Sequence, residues 1–276
     1  GLIKPLILRI LKVKEKDIQP YLEEFEERLQ DECDYELELK NGTQIALETK
    51  DIPNLIIPKY YPEWSASKIL TMDWIDGIPL QYFIDNETNQ DKKNQIGQAL
   101  LDFLHTSIHE HKHFHADLHP GNFLVTDDCK LVVLDFGCVK CIPDDFYNFY
   151  FSLVRDDVVN DEHKLRICLK GLDMLRDTDD KETSDLFYDE SLRAIYNISR
   201  PMKSDIFYFK DQQYFEELQA HGEELFSNKK FRNADAMRGS RHAIYLHRAF
   251  YGLYSILFKL NATVKIDRRF IEKVGV

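Results

Sequence analysis

No run of about 18 apolar residues occurs anywhere in the 276-residue chain, so no segment reads as a membrane-spanning helix. No secretory signal opens it. Basic residues are in deficit: 36 Lys and Arg stand against 48 Asp and Glu, a formal net charge of -12 at pH 7. A general nucleic-acid binder shows a basic patch or stripe, so that class of partner is set aside. A nucleotide is still allowed, because a metal ion can meet its phosphates. Cysteine is scarce and odd in number, five in all, which argues against a disulfide framework and for a reducing compartment. Internal repeats and low-complexity tracts are absent. What remains, at 43% hydrophobic residues, can bury one substantial core or two small lobes.

The chemistry concentrates in one stretch. His115-Ala116-Asp117-Leu118-His119-Pro120-Gly121-Asn122 is followed by Asp135-Phe136-Gly137. A kinase catalytic loop is written H-x-D-x-x-x-x-N and its metal loop D-F-G. Between the two lie Phe123-Leu124-Val125, a polar turn at Thr126-Asp127-Asp128, and Leu131-Val132-Val133-Leu134. Two short apolar runs around a turn predict a β-hairpin, which folds Asp135 back beside Asn122. Asn122 and Asp135 are then the expected ligands of one Mg2+, a hard cation shared with substrate phosphates. Asp117 is the candidate catalytic residue, free to orient the attacking hydroxyl or accept its proton. A solvated loop carrying Asp and Asn by chance leaves both the hairpin and the second motif unexplained.

Other features read more plainly. Cys138 and Cys141 form a C-x-x-C with no second ligand pair at zinc spacing, so they are expected to be free or buried thiols. His105, His109, His111, His113, His115 and His119 crowd one segment without an acidic third ligand. They are read as a helix end running into the catalytic loop, with His115 bracing its backbone. Residues 15–40 are expected to be a helix, carrying Ile18, Leu22, Phe25, Leu29 and Cys33 on one face and stopped by Asn41-Gly42. Leu55–Pro58 and Lys68–Met72 are expected to pair as antiparallel strands. Met72-Asp73-Trp74-Ile75-Asp76-Gly77 then suits a kinase hinge, where the Asp73 carbonyl and the Ile75 N–H would meet adenine. An amphipathic helix follows over residues 96–108, and helical stretches near 145–157, 161–175, 181–199, 210–226 and 240–260. The stripe of Tyr245, Phe250, Tyr251, Tyr254 and Phe258 is expected in the core, with a membrane-facing role as its alternative.

With loop, hairpin and hinge in place, the chain resembles the UbiB/AarF family of atypical protein-kinase-like proteins. Glu32-Cys33-Asp34-Tyr35-Glu36-Leu37-Glu38 looks like that family's E-C-D-Y-x-x-E segment. Thr71–Gly77 looks like its hinge, and Phe114–Asn122 with Leu134–Gly137 like its catalytic and metal loops. Arg248-Ala249-Phe250-Tyr251-Gly252-Leu253 is similar to a helix near the family's C-terminus. The resemblance implies that Glu38 pairs with a nucleotide-binding lysine and that Glu32 and Asp34 face a K-x-G-Q element. No nucleotide loop, V-A-x-K strand or K-x-G-Q is found in the sequence, and the expectation is a chain that begins inside a longer protein.

The expected fold is α+β and protein-kinase-like. Residues 1–76 would form a partial N-lobe with a short antiparallel sheet and helix C, and 77–276 a helical C-lobe. The expected function is an atypical kinase or ATPase that binds ATP and Mg2+ and, by the resemblance, supports isoprenoid-quinone biosynthesis or lipid metabolism. Partners so implied are quinone-pathway proteins, lipid and a peripheral membrane contact. The expected location is the cytoplasm, with an organelle left open. Two other readings stay open: a small-molecule phosphotransferase of the aminoglycoside or choline kinase type, which His119 and the missing A-P-E also fit, and a non-catalytic pseudokinase scaffold.

Overall fold

The computed structural model describes residues 34–227 and 238–274. Most of the first expected helix, with Glu32 and Cys33, lies outside the described residues. The helix expected through residue 40 does not run unbroken: α1 (Tyr35–Glu48) begins at a non-helical Asp34, whose Oδ1 accepts from the N–H groups of Glu36 and Leu37 at 3.1 Å each. Such a cap satisfies donors that a helix start leaves open. The stop expected at Asn41-Gly42 does not occur, and the helix runs through both residues, which are buried. Asn41 Nδ2 donates to the Phe136 carbonyl at 3.1 Å. A Cβ on Gly42 would lie 2.5 Å from a ring carbon of Tyr60. An Asn-Gly pair punctuates a helix when nothing else engages it, and here tertiary contacts engage both.

β1 (Leu55–Ile56) pairs parallel with β5 (Leu131–Val133), not antiparallel with residues 68–72 as expected. The antiparallel pairing forms farther along: Tyr61 N–H donates to the Thr71 carbonyl and Asp73 N–H to the Lys59 carbonyl, each at 2.9 Å. A two-residue apolar run carries no information about its partner, and the buried edge of Leu131-Val132-Val133 wins. The predicted hairpin is present. β4 (Phe123–Val125) runs antiparallel to β5, with Phe123 opposite Val133 and Val125 opposite Leu131. β2 (Ile78–Pro79) adds to β4, giving the order β1-β5-β4-β2. A second ribbon pairs β3 (His113–His115) with β6 (Val139–Cys141).

The helical part opens with α2 (Leu80–Asn86) and α3 (Gln90–Thr106). α3 passes into a π turn, Ser107–His111, and ends at Lys112 in the left-handed region (φ 52°). This run delivers the catalytic loop, as its periodicity predicts. His105 and His109 share a face, their rings 5.2 Å apart, and His109 stacks on Phe270 at 3.7 Å. Among the described residues no group of three or more His, Cys, Asp or Glu could hold a metal ion.

The stretch expected near 145–157 divides into α4 (Asp144–Ser152) and α5 (Asp156–Val159). α6 (Glu162–Gly171), α7 (Lys181–Ser199), α8 (Gln212–Ser227) and α9 (Arg241–Lys259) follow close to their expected bounds, with α10 (Arg269–Lys273) after them. A ribbon of β7 (Ile206–Tyr208) and β8 (Thr263–Lys265) joins them and was not foreseen. Tyr245, Phe250 and Tyr254 of α9 are buried, Phe258 packs against the core from a partly buried position, and Tyr251 is exposed. The stripe is therefore core except at Tyr251.

Candidate active site

The catalytic loop is held by its backbone and by one imidazole. Ala116 N–H donates to the Cys138 carbonyl at 2.8 Å, at the end of the β3–β6 ribbon. His115 is fully buried, and its Nδ1 accepts the Asp117 N–H at 3.0 Å. The Asp117 carbonyl accepts from His119 N–H at 2.9 Å and from Asn122 Nδ2 at 3.1 Å. Main-chain groups of Asp117 therefore fasten the loop, and its carboxylate is left to face outward. Burial lowers the His115 pKa, against the pull of Asp135, Asp117 and the Asp135 backbone, so the ring is neutral at pH 7. Its Nε2 completes no hydrogen bond of good geometry.

The hairpin brings the two metal candidates together. Leu134 N–H donates to the Asn122 carbonyl at 3.0 Å, so Asp135 begins where Asn122 ends. Asp135 Oδ1 accepts the Gly137 N–H at 2.8 Å, which leaves Oδ2 outward. Because Asn122 Nδ2 is engaged by Asp117, its Oδ1 is the atom available to a cation. Two hard oxygen donors at one edge fit Mg2+, which takes one or two protein ligands and completes its octahedron with phosphate and water.

Behind this edge, α1 grips the metal loop from the other side. Glu38 Oε1 accepts the Phe136 N–H at 3.4 Å, and Asn41 takes the Phe136 carbonyl. Tyr60 adds a long contact to the Leu134 carbonyl (3.4 Å) and an edge-on approach to the Phe136 ring. Burial first, and then the Asp135 charge, raises the Glu38 pKa, with the Phe136 N–H opposing them. No Lys or Arg among the described residues acts on it. The sign of the linkage follows. A carboxyl whose folded pKa is raised favours the fold most when protonated, below its ordinary value of 4.5, and loses that support as pH rises. Glu38→Gln keeps the acceptor for Phe136 and removes the charge. It is expected to raise Tm at pH 7.5 by about 1–4 °C, with the gain vanishing near pH 4. Differential scanning fluorimetry at the two pH values checks this, and a lowered Tm at pH 7.5 would show that the charge is compensated.

One residue here was not a predicted site residue. Arg248 Nη2 of α9 lies 2.7 Å from Asp117 Oδ1, with both side chains partly exposed. α9 reaches the loop because residue 252 is Gly: a Cβ there would sit 2.5 Å from the Leu118 carbonyl oxygen. A glycine inside a helix costs about 1 kcal/mol relative to Ala, so Gly252 was the available signal of a close approach. An exposed pair of this kind adds only about 0–1 kcal/mol to stability. Its interest lies in which carboxylate it holds.

Residues 4–168 match the ABC1 atypical kinase-like domain model, well over half of the chain. The chain belongs to the ABC1 atypical kinase-like family. It is 24% identical over 253 residues to the mitochondrial atypical kinase COQ8B of Danio rerio, covering 91% of this chain and 39% of that protein. It is 31% identical over 188 residues to a chloroplastic aarF domain-containing protein kinase of Arabidopsis thaliana, covering 66% and 26%. A UbiB protein of Pasteurella multocida is 27% identical over 140 residues, covering 49% of this chain and 27% of that protein. The chain thus spans well under half the length of these relatives. Among solved structures, the complex of Rv3197 with erythromycin from Mycobacterium tuberculosis superposes with a TM-score of 0.69 at 23% identity, covering 93% of this chain and 61% of that one. The fold is therefore kinase-like and α+β, as the motifs predict.

In this ABC1 chain the structure brings Asp117, Asn122, Asp135 and Glu38 around one metal loop. Asp73 and Ile75 lie on the connector that precedes β2. Asp73 Oδ1 accepts from the Tyr61 hydroxyl at 2.7 Å, and Trp74 between the two is 88% exposed. Among the described residues no backbone bond uses the Asp73 carbonyl or the Ile75 N–H. Asp34, expected to face a K-x-G-Q element, is the N-cap of α1. No described helix of the ABC1 chain is long and apolar enough to cross a membrane.

Proposed function

We propose that the chain binds Mg-ATP and serves an atypical kinase or ATPase acting in isoprenoid-quinone biosynthesis. One observation carries this reading: a short hairpin sets Asn122 and Asp135 edge to edge, directly beyond the loop that presents Asp117. In this reading Asn122 Oδ1 and Asp135 Oδ2 hold Mg2+, which offsets the phosphate charge when bound. Asp117 positions the acceptor hydroxyl or water, and the Asp73 carbonyl and Ile75 N–H meet adenine. Residues 1–76 belong to the nucleotide lobe and 77–276 to the helical lobe. The relatives named for mitochondria and chloroplasts support an organelle as readily as the cytoplasm. Contact with a membrane or with quinone-pathway proteins would use surface other than the α9 stripe, most of which is buried.

A second reading, a nucleotide-binding scaffold without turnover, is favoured by Glu38, which meets the metal loop and no cation among the described residues. Both readings need the metal edge. Asp135→Asn removes a full ligand charge, and is expected to abolish the Mg2+-dependent rise in Tm given by ATP. A site holding nucleotide at one hundred times its Kd stabilises by about 2.7 kcal/mol, so the loss is easily read. An unchanged shift would remove Asp135 as the ligand and with it the proposal.

A further inference from the structure

The helical part contains a cleft that takes no part in the site described above. It lies between α4, α6, α7 and α9, opens to solvent, and has a cavity volume of about 80 Å³. Leu153, Leu169, Ile195, Ile198 and Met202 form its wall, and no Asp, Glu, Lys or Arg reaches it. Small-molecule sites share this character, apolar with a few placed polar groups. Tyr150, His247, Ser191 and Ser199 are its polar lining side chains. Ser191 and Ser199 of α7 line the cleft and are 4% and 2% exposed, and neither hydroxyl has a hydrogen-bond partner.

An orphan hydroxyl is uncommon in a folded protein, because burial strips its water without return. A helical serine usually bonds the carbonyl one turn back, and these two do not. An ordered water needs two to four polar partners, and beside the two serines the lining offers the side chains of Tyr150 and His247. The wall also selects against charge: with no fixed ion to pair with, an anion or ammonium would enter unpaired. Ser191 and Ser199 are eight residues apart, roughly 12 Å along the helix axis. A chain-like molecule lying along α7 can fill the apolar wall and place one oxygen at either hydroxyl.

We propose that this cleft binds a neutral, chain-like apolar molecule carrying a terminal hydroxyl, with Ser191 or Ser199 as its hydrogen-bond partner. Nothing in it depends on nucleotide, so it stands or falls apart from the kinase reading.

The test uses the nucleotide-free protein and N-phenyl-1-naphthylamine, a neutral apolar fluorophore. Saturable uptake is expected, with displacement by 1-decanol at a free concentration at least fivefold lower than by 1-chlorodecane of equal length. Ala194→Phe fills the cleft from α7 and is expected to weaken uptake at least tenfold. The double variant Ser191→Ala, Ser199→Ala is expected to keep uptake and lose the preference for the alcohol. No uptake by the natural protein overturns the proposal, as does undiminished uptake by Ala194→Phe with an unchanged circular dichroism spectrum. If Ala194→Phe does not fold, the double serine variant decides, and a preference it retains overturns the assignment.

Discussion

Asp117→Asn is expected to lower ATP turnover by about 10²- to 10⁴-fold while nucleotide binding persists. The geometry supports both halves. The loop is fastened through the Asp117 N–H and carbonyl, which accept or donate to His115, His119 and Asn122, and those bonds survive the substitution. Only the carboxylate is lost, together with its ion pair to Arg248. Arg248→Ala leaves that carboxylate in place without its partner. A smaller loss is expected, about tenfold or 1.4 kcal/mol, because the effect is on position. Arg248→Lys should recover part of it, since an ammonium keeps the opposite charge beside the carboxylate but not the guanidinium's planar fork. Phosphate release and an independent nucleotide-binding titration, run on the same variants, separate turnover from affinity. Turnover by Asp117→Asn within tenfold of the natural protein would take Asp117 out of the reaction, and equal loss of binding would make it a structural residue.

The second large effect is a steep loss of stability in mild acid. His105, His109 and His115 are each driven below the ordinary value of 6.5 by burial, His105 to about 4. Their neutral rings pack against aromatic neighbours, His109 flat on Phe270. A histidine with a depressed folded pKa gains its proton only on unfolding. Its contribution is therefore fully present above about pH 6.5 and is lost as pH falls towards the folded value. The two protons of His105 and His109 correspond to a slope of up to about 2.7 kcal/mol per pH unit between pH 6 and 4.5, to which His115 adds. The share of His115 is the smallest, since Asp135 and Asp117 draw its pKa back up. His247 is also driven down to about 4, but its ring keeps solvent-accessible area, so its part is discounted. Urea midpoints at a series of pH values measure the slope. His109→Phe, which keeps a ring over Phe270, should lower it by about 1.4 kcal/mol per pH unit. Constant midpoints from pH 7 to 5 would mean that the rings are hydrated in solution.

Local pattern made several parts of this protein legible. Apolar runs around a polar turn specify a hairpin by period and turn chemistry alone, and β4 and β5 formed where that pattern lies. Helical periodicity located α3 and α6 to α9, because an amphipathic face depends on neighbours three and four positions away. The order of the Asp117, Asn122 and Asp135 motifs, with the hairpin between them, pointed to one edge for the same reason. Pattern failed where the deciding partner was remote. Asn41-Gly42 carries a stop signal, yet its bonds go to Phe136, 95 positions away, and its space to the Tyr60 ring. Leu55-Ile56 carries strand propensity without naming a partner, and it joined β5.

By itself, then, the sequence determined which residue types stand at each motif and the short-range folding that aligns Asn122 with Asp135. The tertiary structure alone decided that α1 holds the metal loop by both backbone groups of Phe136, and that Arg248 of α9 meets Asp117. The reason is physical. Hydrogen bonds within a hairpin are set by local spacing, whereas an ion pair between distant segments exists only once packing has chosen which helix lies on which loop, and here that choice rests on the missing side chain of Gly252.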